Sequence, residues 1–261
     1  DFVIIDNREK ITNLTKDQIV KICDRNFIGC DQLIFIEPDS SADANLKFFN
    51  SDGGESGACG NGTRCVANLI SNEKNNKSII LNTLSGKLKS EILEKKIVTT
   101  EIGKAKLKWD EIPLSKEMDT KNLNIKIIDT NNNEHLGGTA INVGNPHIVF
   151  FVKRIEDFNI EKIGPEIENH EIFPEKCNVT IAQIFNKNLI KVKVWERGAG
   201  LTKACGTAAC ATAYAGKLNN LTENKTDIEF ATGKLSISID ENDSIHMKGP
   251  VSNIKEINIK L

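Results

Sequence analysis

Two short stretches, ACGNGTRC at residues 58–65 and ACGTAAC at residues 204–210, share an alanine, a cysteine, a glycine and a later second cysteine. In each stretch the first cysteine, Cys59 or Cys205, ends a polar loop and a run of small and apolar residues follows it. Such a run predicts a helix, so we expect each cysteine at a helix N-terminus. One such stretch in each half of the chain indicates two domains of similar design.

A helix N-terminus is a favourable place for a reactive thiol. Its first backbone N–H groups have no intrahelical partner and the helix dipole is positive there, so an anion is stabilised. We therefore expect the thiolates of Cys59 and Cys205 to be accessible and a substrate carboxylate to dock beside them. Two such thiols on opposite faces of one carbon can move a proton from one face to the other.

The other five cysteines have simpler explanations. Cys65 and Cys210 are expected to pack on the inner side of each helix, and Cys23, Cys30 and Cys177 carry no motif and are interpreted as structural. Seven cysteines is an odd number, and a chain of this length does not need disulfides. Neither cysteine pair has the spacing or the partners of a zinc site. We predict reduced thiols and no metal.

The composition is typical of a globular enzyme. With 261 residues, of which 39% are hydrophobic and 27% charged, the chain can bury one large core or two modest ones. The net charge of −2 gives no basic surface for nucleic acid. No segment has the roughly 20 apolar residues of a membrane span, and no signal peptide is recognisable. We predict a cytoplasmic protein without nucleic-acid or membrane partners.

Strand patterns outnumber helical ones along the chain. Thr15 and Gln18 form a capping-box pattern that predicts a helix before Gly29, and a shorter helix is expected over 160–169. Many strands with few helices favour an α+β protein, with a domain boundary near 116–122. The predicted strands are 2–6, 33–37, 46–50, 79–83, 87–93, 97–102, 123–129, 147–152, 179–185, 189–196, 226–231, 234–239 and 254–261.

Several short motifs, in their order and spacing, closely resemble the diaminopimelate epimerase family over essentially the whole chain. These are Asp1-Phe2, Asp31-Gln32-Leu33, Phe49-Asn50-Ser51-Asp52-Gly53, Cys59-Gly60-Asn61-Gly62, Gly144-Asn145-Pro146-His147, Cys177-Asn178-Val179, Glu196-Arg197-Gly198-Ala199-Gly200 and Ala204-Cys205-Gly206-Thr207. The resemblance implies a cofactor-independent isomerase that interconverts LL- and meso-diaminopimelate in lysine and peptidoglycan precursor biosynthesis, with diaminopimelate as its small-molecule partner and a homodimer as a possible assembly.

The resemblance also implies the architecture. It predicts two pseudo-symmetric domains, each a curled β-sheet around a central helix, with the active site in the cleft between them. The chain is expected to cross once near residue 108 and to return at its last strand. The N-terminal domain with Cys59 then comprises 1–108 and 251–261, and the C-terminal domain with Cys205 comprises 109–250.

The site follows partly from the residues and partly from the resemblance. One cysteine serves as thiolate base and the other as thiol acid. By resemblance, His147 partners Cys59 and Glu196 partners Cys205. Arg197 has a physical case of its own, because a guanidinium can hold the distal carboxylate of the substrate with two hydrogen bonds. The remaining predicted substrate contacts are the backbone N–H groups of Gly60, Asn61, Gly206 and Thr207 and the side chains of Gln32, Asn50, Asn145 and Asn178.

Some alternatives stay open at the level of sequence. Family members carry about ten residues before the Asn-Asp-Phe motif, and an asparagine there contacts substrate, whereas the given sequence starts at Asp1. The reading closest to an epimerase is a proline or hydroxyproline racemase of the same fold. Two alternatives belong to other functional classes of protein. The first is a thiol redox protein that uses Cys59 and Cys205, and the second is an amino-acid-binding module.

Overall fold

A computed structural model describes residues 1–57, 59–94 and 96–259. Contacts within the chain define two units, unit 1 with Asp1–Glu101 and Gly249–Leu261, and unit 2 with Ile102–Lys248. Strands outnumber helices among the described residues of both units, as expected for an α+β protein. The sequence-based division after residues 108 and 250 stays a proposal. In the described part of the chain, no helix is long and apolar enough to span a membrane.

Unit 1 carries two helices and most of seven strands in its described residues. They are β1 (Phe2–Asp6), α1 (Lys16–Cys23), β2 (Gln32–Glu37), β3 (Ala44–Asn50), β4 (Glu55–Ser56), α2 (Gly60–Lys74), β5 (Ser78–Thr83), β6 (Gly86–Glu94) and β7 (Ile97–Lys104). The strand order is β1-β2-β3-β5-β6-β7, with β4 paired to β3. The β1/β2 and β3/β5 pairs are parallel, and the other pairs of this sequence are antiparallel.

The two helices of unit 1 pack on separate cores. The predicted capping box starts α1, where the Gln18 N–H donates to Thr15 Oγ1 at 3.3 Å and the Thr15 N–H donates to Gln18 Oε1 at 2.9 Å. Helix α2 buries Val66, Ala67 and Ile70 against residues of β2, β3 and β5. The helix that begins after Cys59 therefore packs its buried face on apolar residues of three strands.

Unit 2 carries two α-helices, a 3₁₀ turn at Ile155–Asp157 and ten strands, the last of which ends beyond Lys248. They are β8 (Ile125–Ile128), β9 (Glu134–Gly137), β10 (Thr139–Asn142), β11 (Pro146–Val152), α3 (Ile160–Glu168), β12 (Asn178–Asn186), β13 (Leu189–Glu196), β14 (Gly200–Thr202), α4 (Gly206–Leu218), β15 (Lys225–Phe230), β16 (Gly233–Ile239) and β17 (Ser244–Pro250).

The strands of unit 2 surround α4. Their order is β10-β11-β12-β13-β15-β16-β17, while β14 pairs with β13 and β8 forms a separate hairpin with β9. All residues of α4 from Ala208 to Gly216 are buried. A helix that is buried on all sides is a core helix, which agrees with the predicted central helix. A second core packs under α3 and contains Ile163, Ile167 and Phe173.

The tail differs from the sequence-based prediction, and five observed strands were not predicted, namely β4, β9, β10, β14 and β17. Residues 254–259 form no strand, so the predicted strand 254–261 is wrong there, and residues 260–261 lie outside the described residues. Ile254 and Ile257 are 48% and 55% exposed, whereas Ile259 is half-buried against the core under α1. The last strand is instead β17, which was not predicted because glycine and proline end it.

Candidate active site

Cys59 is the N-cap residue of α2, as predicted. Its backbone is extended, with φ −144° and ψ 106°, and its Sγ accepts a hydrogen bond from the Gly62 N–H at 3.4 Å. The Thr63 hydroxyl and N–H both donate to the Cys59 carbonyl at 2.8 Å. A Cβ on Gly62 would lie 2.7 Å from the Ile34 side chain, so only glycine fits this close packing. The first turn of α2 thus holds the half-buried thiol in place.

Two further predicted residues of unit 1 meet at the ends of neighbouring strands. Gln32 and Asn50 are register partners in β2 and β3, and Gln32 Nε2 donates to Asn50 Oδ1 at 2.8 Å. A tight turn follows Asn50, closed by the Gly53 N–H to the Asn50 carbonyl at 2.9 Å with φ +77° at Gly53. Glycine adopts this left-handed conformation without strain. Gln32 is half-buried and Asn50 is exposed.

Arg64 is a charged residue of unit 1 that was not predicted as a site residue. It is buried at 4% exposure, and its Nη2 donates to Asn61 Oδ1 at 2.8 Å. The side chain of Asn61 is therefore engaged within α2, while its backbone N–H hydrogen-bonds to the Cys59 sulfur. A positive charge five residues after Cys59 was visible in the sequence but was indistinguishable from a surface arginine.

Cys205 is the N-cap residue of α4, and its thiol contacts a carboxylate. Its Sγ donates to Glu196 Oε2 at 3.1 Å and lies 3.4 Å from Thr207 Oγ1. Glu196 is the last residue of β13, directly before the turn that leads into β14. The predicted partnership between Glu196 and Cys205 is thus present as a direct hydrogen bond.

Glu168 holds the turn after Glu196 and was not predicted. It is 6% exposed, accepts from Trp195 Nε1 at 2.7 Å and accepts from the Gly198 N–H at 2.9 Å. A buried carboxylate with two donors fixes both sides of the turn that carries Arg197. Its position at the end of α3 gave no sequence signal, because glutamate is also common on exposed helix surfaces.

Asn178 and Arg197 are brought together at the same turn. Asn178 is buried, its Nδ2 donates to the Pro146 carbonyl at 2.9 Å, and its Oδ1 accepts from the Arg197 N–H at 3.0 Å. The Arg197 side chain is exposed and donates from Nη1 to the Glu175 carbonyl at 2.9 Å. Asn178 therefore braces the backbone of Arg197, and most of the guanidinium donors remain available for a ligand.

His147 and Asn145 lie beside the first turn of α4. His147 is fully buried, its Nε2 is 2.8 Å from Asn145 Oδ1, and Asn145 Nδ2 donates to Thr207 Oγ1 at 3.4 Å. Burial, together with the charge of Arg197, lowers the pKa of His147 to about 3, so the ring is neutral at pH 7. The partnership of His147 with Cys59 joins residues of different units and stays a prediction.

The thiol pKa values differ from the sequence-based expectation. Burial raises the pKa of Cys59 to about 11, although the N–H groups of Gly62 and Asn61 and the charge of Arg64 act in the opposite direction. Burial and the Glu196 carboxylate raise the pKa of Cys205 well above its usual range. The expected lowering by the helix N-termini is therefore wrong for this structure, because loss of solvent outweighs the helix contribution. Both cysteines are thiols at neutral pH.

The predicted site residues fall into two groups, one in each unit. Unit 1 holds Gln32, Asn50, Cys59, Gly60 and Asn61, and unit 2 holds Asn145, His147, Asn178, Glu196, Arg197, Cys205, Gly206 and Thr207. In unit 2, hydrogen bonds join Glu196 and Asn145 to the start of α4, whereas in unit 1 Gln32 and Asn50 are hydrogen-bonded to each other. All seven cysteines are free, and among the described residues no cluster of three or more His, Cys, Asp or Glu side chains could hold a metal ion.

Solved structures with low sequence identity share this fold. A hydroxyproline epimerase from Agrobacterium vitis with bound trans-4-hydroxy-L-proline superposes with a TM-score of 0.64 at 13% identity, covering 90% of this chain and 76% of that one. A PhzF-family phenazine biosynthesis protein from Bacillus anthracis gives a TM-score of 0.64 at 14% identity, covering 95% and 90%. These similarities establish a shared architecture.

Sequence relatives are much more similar. The family model described as diaminopimelate epimerase matches residues 1–108 and 139–254. A diaminopimelate epimerase from Pelagibacter ubique is 68% identical over 261 residues, which cover 100% of this chain and 95% of that protein. One from Sphingopyxis alaskensis is 41% identical over 255 residues, covering 97% and 91%. The chain therefore belongs to the diaminopimelate epimerase family.

Proposed function

We propose that this protein interconverts LL- and meso-diaminopimelate by moving the α-proton between two cysteine thiols without a cofactor. The observation that carries this proposal is the matched placement of Cys59 and Cys205, each as the N-cap of a helix that packs on the core of its own unit. Family membership and the similarity to named epimerases support the substrate and the reaction class.

The reaction requires a base on one face of the α-carbon and an acid on the other. In one direction a thiolate removes the α-proton and the opposite thiol delivers its own proton to the other face, so the two sulfurs exchange protonation states. Because Cys205 donates to Glu196 at 3.1 Å, the carboxylate is placed to receive the Cys205 proton and to generate its thiolate. We propose that His147 serves Cys59 in the same way, as the family resemblance implies.

The helix N-termini supply the stabilisation of the carbanion. As the proton leaves, negative charge accumulates on the α-carboxylate, and preorganised donors aimed at that charge lower the barrier. The first N–H groups of α2, on Gly60 and Asn61, and those of α4, on Gly206 and Thr207, have no carbonyl partner within their helices, although the Asn61 N–H also contacts the Cys59 sulfur. We propose that both sets bind the reacting carboxylate.

The distal end of the substrate needs separate recognition. We propose that Arg197 holds the distal carboxylate, because its guanidinium is exposed and its backbone is fixed by Asn178. The amides of Gln32, Asn50, Asn145 and Asn178 are proposed to hydrogen-bond the amino and carboxylate groups. A zwitterionic dicarboxylate matches neutral amides with one arginine.

We also propose the cellular setting and the assembly. We propose that the enzyme acts in lysine and peptidoglycan precursor biosynthesis in the cytoplasm and that it assembles as a homodimer. We propose two domains, 1–108 with 251–261 and 109–250.

Activity on LL-diaminopimelate tests the proposed function. The purified, reduced protein should form the meso isomer without added cofactor. The product is measured by separating the stereoisomers on a chiral column. Proline and hydroxyproline, assayed beside it, should be unchanged. Racemisation of proline with no turnover of diaminopimelate would instead support the racemase alternative.

A further inference from the structure

Four side chains of unit 2 form one line of hydrogen bonds that ends at the Cys205 sulfur. The line runs from His147 Nε2 to Asn145 Oδ1 at 2.8 Å, and from Asn145 Nδ2 to Thr207 Oγ1 at 3.4 Å. It ends with 3.4 Å between Thr207 Oγ1 and Cys205 Sγ. Three segments contribute to this line: β11 and the residues just before it, the first turn of α4, and its N-cap.

The direction of donation along this line follows from the chemistry of its members. The buried His147 is neutral, and an amide oxygen only accepts, so the ring proton is on Nε2. The Asn145 oxygen therefore faces the histidine and its NH₂ group faces Thr207. Since the Thr207 oxygen accepts from Asn145, its single proton is left to point toward the sulfur.

We propose that Thr207 is a positioning residue whose hydroxyl donates to the Cys205 sulfur, with the direction of that donation fixed by Asn145 and His147. This inference rests on the proposed function, in which Cys205 is one of the two reacting thiols. When the Cys205 proton moves to Glu196, the S–H bond breaks and an O–H bond forms on the carboxylate. The Thr207 proton stays on its own oxygen and stabilises the resulting thiolate.

The charged groups around the line are few in unit 2. Glu196 faces Cys205 and disfavours the thiolate, while Arg197 faces His147 and disfavours its protonated form. The Thr207 hydroxyl and the Ala208 N–H are the groups that act to lower the pKa of Cys205. Loss of the hydroxyl should therefore leave the thiolate with one donor fewer and a smaller population at any given pH.

The test is the alkylation rate of Cys205 in the reduced protein without substrate. Below the thiol pKa, the rate with a small neutral reagent such as iodoacetamide follows the thiolate fraction. Digestion and mass spectrometry quantify the Cys205 peptide, and Cys65 of unit 1 serves as the internal reference. At pH 8, Thr207→Val should slow alkylation about fivefold or more relative to wild type, whereas Thr207→Ser should stay within about twofold.

Thr212→Val is the matched control. Thr212 is on the same helix, is fully buried, and its hydroxyl has no hydrogen-bond partner among the described residues. The same threonine-to-valine change there should leave the Cys205 rate unchanged. If Cys205 in wild type reacts no faster than in Thr207→Val, or if Thr212→Val slows it equally, the proposal is overturned.

A double-mutant cycle tests the role of Asn145. Asn145→Ala alone should slow Cys205 alkylation about twofold to threefold, because the hydroxyl loses its orientation. In the Thr207→Val background, Asn145→Ala should have no further effect on the alkylation rate. The same slowing in both backgrounds would contradict the proposal that Asn145 acts through the Thr207 hydroxyl. Because alkylation uses no substrate, failure of this inference is distinct from failure of the epimerase assay.

Discussion

At the scale of the residue, position at a helix N-cap, and not burial, separates Cys59 and Cys205 from the other five cysteines. Cys59 and Cys205 contact helix N–H groups and Glu196, whereas Cys210 is fully buried in the core of unit 2 and Cys65 packs on the core of unit 1. Each of the two repeated stretches, 58–65 and 204–210, therefore carries one helix-capping cysteine and one cysteine that packs on the core.

Alanine substitution should distinguish these two kinds. Cys59→Ala and Cys205→Ala should each lose about 10² to 10⁴ of turnover, the typical contribution of a general acid or base. Cys65→Ala and Cys210→Ala should keep most activity and unfold at lower temperature, since they remove buried contacts. Initial rates and thermal unfolding of all four variants check this. Equal losses of turnover in Cys59→Ala and Cys65→Ala at matched folding would remove Cys59 from the mechanism.

Arg197 should distinguish diaminopimelate from amino acids with one carboxylate. Arg197→Ala should weaken transition-state binding by about 2 to 5 kcal/mol, because the distal carboxylate loses its charged partner. Arg197→Lys should recover only part, since an ammonium cannot make two parallel hydrogen bonds. The measurement is kcat/KM on LL-diaminopimelate and on lysine for the three proteins. Equal losses of kcat/KM on both substrates would show that Arg197 supports the fold and does not recognise the distal carboxylate.

His147 should make the fold less stable as the pH falls. The pKa of His147 is about 3 in the folded state, below its ordinary value of 6.5. Between pH 6.5 and pH 3 the unfolded chain therefore binds a proton at this residue that the native state does not bind. From pH 7.5 to 5 this single group should lower the free energy of unfolding by about 2 kcal/mol. The pKa of Asp129, held low mainly by Asn133, affects stability only at lower pH.

Urea unfolding of wild type and His147→Gln at pH 5, 6 and 7.5 measures this effect. Glutamine can still donate to Asn145 but does not titrate, so the variant should show a shallower decline over this range. Identical pH dependence in the two proteins would show that His147 does not stay neutral in the native state.

Single residues also show where prediction from sequence ends. Motifs in the sequence indicate both helix-capping cysteines, Glu196 and Arg197, and the structure shows Glu196 hydrogen-bonded to Cys205. Buried Glu168 and Arg64 were missed, because their roles depend on tertiary contacts of residue types that are usually exposed. The raised thiol pKa values were missed for a related reason, since desolvation depends on packing and not on position in a helix.

At the scale of the element, α3 positions the strand that carries Glu196. A Cβ on Gly164 of α3 would lie 2.5 Å from Trp195 Cδ2, and Trp195 is held by its hydrogen bond to Glu168. Gly164→Ala should therefore destabilise the protein by about 1 to 3 kcal/mol through overpacking, despite the better helix propensity of alanine.

Gly137→Ala is the control for this substitution, because the added methyl group meets nothing within 4 Å. Its effect should stay within about 0.5 kcal/mol. Chemical denaturation of both variants checks the pair, and a Gly164→Ala protein as stable as wild type would show that the Trp195 side chain can move.

Elements were predictable where local signals agree with tertiary context. The capping box of α1 and the two cysteine-capped helices follow from residues within one turn. The tail at 254–259 has a strand pattern without a strand, because alternation becomes a strand only when a neighbour supplies hydrogen bonds. Strand β17 pairs with β16, and this pairing cannot be predicted from the residues of β17 alone.

At the scale of the whole molecule, the chain repeats one arrangement in two units. Each unit places a cysteine-capped helix against a core formed by its own strands, α2 in unit 1 and α4 in unit 2. The repeated ACG stretches predicted this correspondence from sequence. The pairing of strands that are distant in sequence, such as β3 with β5 and β13 with β15, could not be predicted because it depends on contacts across intervening helices.

The most direct test of the two-thiol account is the fate of the α-proton when LL-diaminopimelate is converted in deuterium oxide. Two separate thiols predict that meso product forms with solvent deuterium at its α-carbon, while LL substrate recovered early in the reaction keeps its proton. Cys59→Ala and Cys205→Ala should each slow formation of the meso isomer by about 10² to 10⁴. Transfer of the original proton to the product, or full turnover after loss of either cysteine, would contradict the account.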